Sequence, residues 1–274
     1  MKRTYLWLVA GALAASVAGV GWHAATLQAG APQGAGGTEI QVLPPIPAQA
    51  GSDAVRPVVV ELFTSQGCSS CPPADRLLGE LAGQPGVIAL AHHVDYWDYI
   101  GWKDPFARPD ATVRQRLYSQ NLGLRFVYTP QIVIDGWMDV VGSRRTEVVQ
   151  GVNTARSAAE HLVIEIDSSS TGTRVIIPAG DAPAEGATVW LAIFDDEQRT
   201  QIERGENSGL ELIDSHVVRE FVSLGTWEGA AMELPVDLAS AIDQGRGGCA
   251  IIVQEGRAGR ILGAAMMKLG GAPS

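Results

Sequence analysis

The stretch Val58–Asp75, VVVELFTSQGCSSCPPAD, carries the reading that decides the fold. An apolar, β-branched run breaks at Gly67, two cysteines follow three positions apart, and two prolines come directly after the second. The near-continuous apolar character of Val58–Phe63 is that of a strand covered on both faces, as in a parallel sheet. Pro72 and Pro73 suit a first helical turn, where a missing N–H costs nothing, and Leu77, Leu78 and Leu81 supply one buried stripe. Gly83 and Gly86 end the helix, and Val87–Val94 reads as a second strand. The unit is strand–helix–strand, with Cys68-Ser69-Ser70-Cys71 where the strand turns into the helix.

Working outward, a polar-aromatic loop, DYWDYIGWKDPFARPD, leads to a helix from about Ala111 to Asn121, stopped by Gly123. Pro130 opens the run Gln131–Ile134, Asp135-Gly136 is a strong hairpin turn, and Trp137–Val141 returns antiparallel. Ser143 is placed to cap a helix running to about Glu160. From Leu162 onward short alternating segments recur between turn signals: Val163–Asp167, Arg174–Pro178, Thr188–Phe194, His216–Leu224, Ala231–Pro235, Ala250–Gln254 and Arg260–Met267. These predict a β-sandwich over 161–274.

Composition sets the compartment and excludes some partners. The 274-residue chain has a formal charge of −10, a field that attracts neither nucleic acid nor an anionic membrane surface. Met1-Lys2-Arg3 followed by an Ala/Val/Leu/Gly-rich segment reads as a secretory signal over 1–25. Its length also suits an uncleaved inner-membrane anchor through residues 4–25. Residues 26–55, rich in Ala, Gly, Gln and Pro, read as a flexible tether. The expected location is therefore periplasmic or secreted. Three cysteines are too few for a disulfide scaffold in a chain this long, so Cys68 and Cys71 form a specialised pair. Cys249, ahead of an apolar run, reads as a small buried hydrophobe.

Three chemistries suit the pair. As an inert staple it closes too short a loop to remove much chain entropy. As half of a soft-metal site for copper(I) or zinc it would need one of His92 and His93, and alternation lets only one of them face the pocket. As a redox dithiol it lies where the helix N-terminus stabilises thiolate over thiol. Cys68, the outer member, is then the attacking nucleophile, and Cys71 resolves the mixed disulfide.

CxxC at a helix start, the strand–helix–strand pattern, Thr129-Pro130 and the Asp135-Gly136 hairpin together resemble the thioredoxin superfamily over residues 56–160. The resemblance implies a thioredoxin-like domain with a helical insertion, a cis Pro130 preceded by Thr129 beside the dithiol, and a buried acid at Glu61. With a raised pKa, Glu61 would shuttle the proton of Cys71. A closer likeness rests on ELFTSQGCSSCPPAD, HHVDYWDYIGWKDPFA, YTPQIVIDG and GENSGLELIDSHVVR. These are similar to the secreted family catalogued as domain of unknown function number 1223, which implies the same fold without a substrate. His93, Asp95, Trp97 and Trp102 are expected to wall the dithiol. The resulting expectation is an exported thiol–disulfide oxidoreductase acting on protein thiols or disulfides without a cofactor. The alternative is a copper- or zinc-binding or peptide-docking module on the same fold.

Overall fold

Strict two-residue alternation divides each central strand between two faces. In β1 (Val58–Thr64), Val58, Val60 and Leu62 enter one core and Val59 another. In β2 (Val87–His93), Val87, Ala89 and Ala91 lie on the first side, Ile88 and Leu90 on the second. The computed structural model describes residues 57–158, 162–169 and 172–270. The expected signal or anchor and the tether lie outside the described residues.

Between these two strands runs α1 (Pro72–Ala82), followed after β2 by α2 (Pro109–Asn121), β3 (Gln131–Ile134), β4 (Met138–Val141) and α3 (Arg145–Arg156). β1 and β2 pair in parallel, β3 is antiparallel to β1, and β4 is antiparallel to β3. α1 and α3 cover one face through Leu77, Leu78, Leu81, Val148 and Val152; α2 carries Tyr118 to the core formed by Phe63 and Val133. The N-cap of α3 is Arg144 and takes no side-chain cap bond, so Ser143 does not fill the capping role expected of it.

At the β3–β4 turn Asp135 and Gly136 both have positive φ, 48° and 74°. Gly136 is required there twice over, because a Cβ would lie 2.0 Å from the carbonyl oxygen of Gly259. Ile261 donates its N–H to the Asp135 carbonyl at 2.9 Å, tying a C-terminal segment back to this hairpin.

The chain continues through β5 (Glu165–Ser169), β6 (Gly172–Ile177), β7 (Ala187–Gln201), β8 (Glu211–Trp227), β9 (Met232–Val236), α4 (Ala239–Asp243), β10 (Gly248–Glu255) and β11 (Ile261–Lys268). The boundary expected at 160/161 does not separate two sheets. One eight-stranded sheet runs β11-β10-β7-β8-β2-β1-β3-β4, with Val217 of β8 opposite Ala91 of β2. The physical reason is the edge of β2: a buried apolar strand cannot leave its N–H and C=O groups unpaired, and β8 meets them with Val217 opposite Ala91 and His216 Nδ1 2.8 Å from the Ala89 carbonyl. The other strands form a three-stranded sheet, β5-β6-β9, packed over Leu191, Ile193, Ile251 and Val253. A two-layer β arrangement therefore exists here, but it shares its larger layer with the α/β half. All described residues belong to one compact unit. Among them no helix is long and apolar enough to cross a membrane.

β7 and β8 are 15 and 17 residues long, twice what the alternating segments predicted. Beyond the sheet they remain paired from Glu197↔Ser215 to Gln201↔Glu211 as an antiparallel arm. The arm lies against α1, where a Cβ on Gly79 would meet the Ser215 hydroxyl at 2.7 Å. It brings residues 200–214 to the turn that carries the cysteines.

Candidate functional site

Cys68 and Cys71 are joined by a disulfide with Cα atoms 5.4 Å apart. Cys71 is the N-cap of α1, and its carbonyl accepts the N–H groups of Ala74 and Asp75 at 2.8 and 3.1 Å. Cys71 is fully buried and Cys68 is 2% exposed, whereas Ser69 and Ser70 between them are exposed. The Ser70 hydroxyl lies 3.4 Å from the Cys68 sulfur. The Thr129–Pro130 bond is cis, as the thioredoxin resemblance implies. Pro130 and Ala74 of α1 both border Gly142, which places the proline against the first turn of the cysteine helix.

Two of the expected wall residues reach the turn before Cys68. Trp102 Nε1 donates to Gln66 Oε1 at 3.1 Å, and Trp97 Nε1 donates to Thr129 Oγ1 at 2.8 Å, with its Cβ against Gly67. Asp95 instead accepts the Thr112 hydroxyl at 2.6 Å and steadies the start of α2. His93 lies beneath the wall, not in it: it is 1% exposed, and its Nδ1 sits 2.7 Å from Asp104 Oδ2. Burial opposes its charge, but the Asp104 carboxylate outweighs burial and pushes the imidazole up to about 9.

Around this ion pair lies a buried polar cluster drawn from distant parts of the chain. Asp104 accepts the Gln66 N–H at 2.8 Å, and the Gln66 side-chain amide donates to Asp214 at 2.8 Å and Thr200 at 3.0 Å on the arm. Asp75, one turn after Cys71, accepts the Thr64 hydroxyl at 2.7 Å. Burial, then the facing charge of Asp214, pushes the Asp75 carboxyl up to about 8. At the arm's tip, Asn207 donates to the carbonyls of Gln66 and Cys68 at 2.9 and 3.1 Å, clamping the cysteine turn. Gln66, Asp75, Asp104, Asn207 and Asp214 were not singled out from the sequence. The GENSGLELID stretch that bears Asn207 and Asp214 carries part of the family likeness, but nothing local in it points to the cysteine turn.

Glu61 has a different role from the one expected. It faces away from α1 and is fully buried, with Arg114 of α2 donating to both of its oxygens at 2.6 and 2.9 Å. Tyr118 donates to the same carboxylate, and His92 Nε2 lies 2.9 Å from it. Arg114 also donates to Gln254 of β10 at 3.1 Å and stacks 4.2 Å over Phe221 of β8. Burial would raise the Glu61 pKa, but Arg114 and His92 outweigh it and hold the carboxyl well below the usual range. An ionised carboxylate with its lone pairs occupied is a poor proton carrier, so Glu61 lacks the raised pKa that the expected shuttle role requires.

Burial lowers the His92 pKa against the pull of Glu61, and its Nε2 lies 2.9 Å from Glu61 Oε1. Among the described residues no group of three or more His, Cys, Asp or Glu side chains is arranged to hold a metal ion. Cys249 is free and buried in β10, and burial pushes its thiol up to about 11. Cys249 lies in the ladder between Ile193 of β7 and Met267 of β11, and the only disulfide among the described residues joins Cys68 to Cys71.

These features define a mixed α/β protein, mostly β, whose large sheet supports a disulfide at a helix N-terminus. The chain belongs to the family described as a protein of unknown function, DUF1223, whose model matches residues 59–254. Among solved structures it is similar to protein AGR_C_4864 from Agrobacterium tumefaciens, at 30% identity and a TM-score of 0.70 over 81% of this chain and 99% of that one. It is also similar in fold to HBP35 of Porphyromonas gingivalis, at 11% identity and a TM-score of 0.50 over 77% of this chain and 74% of that one. No curated protein matches the sequence.

Proposed function

We propose that this protein is an exported thiol–disulfide oxidoreductase on a thioredoxin-like framework, exchanging the Cys68–Cys71 disulfide with the thiols of other exported proteins. The observation that carries the reading is the disulfide itself, formed across the N-cap of α1. Unsatisfied N–H groups and the positive end of the helix dipole stabilise a thiolate there, making Cys71 a good leaving group and lowering the cost of reduction. A four-residue loop contributes little to stability by chain entropy, so fold maintenance is a weak reason for such a bond. The strand order β2-β1-β3-β4, with α1 and α3 on one face and α2 on the other, supports the thioredoxin-like reading.

In this reading a substrate thiolate attacks Cys68 Sγ, the bond to Cys71 breaks, and the electron pair leaves on Cys71. A second substrate thiolate then attacks the mixed disulfide and releases Cys68. The near-complete burial of Cys68 requires the substrate to enter over exposed Ser69 and Ser70. Equilibrating the protein with glutathione buffers and quantifying the free thiols tests the proposal. A potential within the range of known exchange catalysts, about −270 to −120 mV, is expected. A pair that stays oxidised below about −300 mV behaves as a structural bond and refutes it.

A further inference from the structure

We propose that Asp75 is the proton-relay residue for Cys71, reached by solvent through the pocket beside the N-terminus of α1. The inference rests on the exchange reading above and names a group that the cysteines alone do not reveal. Asp75 follows Cys71 by four residues, so the two side chains leave α1 on one face with Cβ atoms about 5–6 Å apart, a gap that one water spans. Oδ1 of Asp75 accepts the Thr64 hydroxyl, and Oδ2 takes no hydrogen bond from the described residues. Asp75 is 7% exposed, and it lines a pocket of about 90 Å³ with Pro72, Arg76, Glu211, Leu212 and Ile213. It therefore has one tethered oxygen, one open oxygen and an outlet.

The groups around it favour the protonated form. Asp214 of β8 and Asp104 of the β2–α2 segment oppose its charge, with His93 of β2 the cation that partly offsets them; Arg76 and Glu211 stand at the pocket. Among the described residues no cation pairs with it directly, in contrast to Glu61. A carboxylic acid beside the leaving sulfur completes the step. As the Cys68–Cys71 bond breaks and its electron pair passes to Cys71, Asp75 gives its proton to that thiolate. The carboxylate then takes a proton from solvent through the pocket. Two electrons pass from the substrate dithiol to the cysteine pair, and both protein sulfurs end reduced.

The test is the single-turnover reaction of the oxidised protein with dithiothreitol from pH 5 to 10, with rates corrected for the fraction of attacking thiolate. In the wild type the corrected rate should fall across the pH at which Asp75 ionises, about 8. Asp75→Asn should be about 10- to 100-fold slower below that pH and have lost the inflection, and Asp75→Glu should restore it. Asp214→Asn, which removes the facing charge, should move the inflection to lower pH; this variant decides the matter even if Asp75→Asn does not fold. A wild-type profile in Asp75→Asn, or an unmoved inflection in Asp214→Asn, overturns the relay while leaving the exchange reading intact. An oxidised wild type that dithiothreitol does not reduce at any pH overturns both.

Discussion

Two buried carboxyl groups, Glu61 on β1 and Asp75 on α1, lie on opposite sides of the same strand and are held in opposite protonation states. Glu61 has a guanidinium on both oxygens, a phenol and an imidazole around it, and stays ionised in a site closed by Phe63, Phe221 and Trp190. Asp75 has one hydroxyl bond and faces two further acids, and its pKa rises. Burial penalises charge equally on both sides. What separates them is whether a matched cation was buried alongside. The Glu61 side is thus a closed ion-pair network that braces the sheet against α2, and the cysteine side keeps a group free to change charge.

The comparison breaks first at the cysteines. Cys68→Ser should abolish exchange, and Cys71→Ser should accumulate mixed disulfides with substrate, because the nucleophile survives without its resolver. Non-reducing gels and mass spectrometry read both outcomes. If Cys71 alkylates faster than Cys68 in the reduced protein, the assignment of roles is reversed.

Next comes the cost of unmatching the Glu61 side. Arg114→Met leaves the Glu61 charge buried without its partner and should destabilise the fold by about 3–5 kcal/mol. Much of this should return in the double variant with Glu61→Gln. Urea denaturation followed by circular dichroism measures both. A loss below about 1 kcal/mol would mean that the network contributes little.

A smaller effect is expected from the arm. Asn207→Ala removes two hydrogen bonds to the turn before and at Cys68, and should cost about 1–3 kcal/mol by leaving two buried carbonyls without that partner. Amide exchange at Gln66–Cys68 should speed up, while that of β10 stays unchanged.

The last effect is a slope with pH. The raised pKa of Asp75 means that the fold binds this proton more tightly than the unfolded chain does, so its contribution is full below pH 3.8 and is lost as pH rises toward about 8. His93 adds to the same decline between 6.5 and about 9, and Asp214, also raised by burial, adds to it from 3.8 upward, so the share of Asp75 is the difference between wild type and Asp75→Asn below pH 6.5. There Asp75→Asn should reduce the decline by at most about 1.4 kcal/mol per pH unit. Glu61 acts with the opposite sign, its contribution being present above pH 4.5 and lost as pH falls below it. Identical stability profiles in wild type and Asp75→Asn over pH 4–6.5 would show that the two carboxyls do not differ as described.

Most strands were legible because alternation is local: Val58–Phe63, Ala250–Gln254 and Arg260–Met267 correspond to β1, β10 and β11. The burial of Cys249 followed from the apolar run behind it. Arg114 was not legible. α2 turns Thr112, Arg114, Gln115 and Ser119 inward, so the helix has a polar buried face and resembles a solvated one until Glu61 is placed opposite. The role of Glu61 was misread for the same reason, since its cation lies 53 residues away.

By itself the sequence determined the strand–helix–strand unit, the position of the two cysteines at a helix start, and the Asp135-Gly136 hairpin, because each depends on residues within a few positions of one another. Only the tertiary structure decided that the C-terminal strands join the same sheet, that the β7–β8 arm clamps the cysteine turn, and which of two acids is left uncompensated. Those outcomes depend on groups such as Gln66 and Asp214, which stand 148 residues apart and meet at 2.8 Å. A buried charge or hydrogen bond is set by whichever partner the fold delivers, and sequence distance carries no record of that partner.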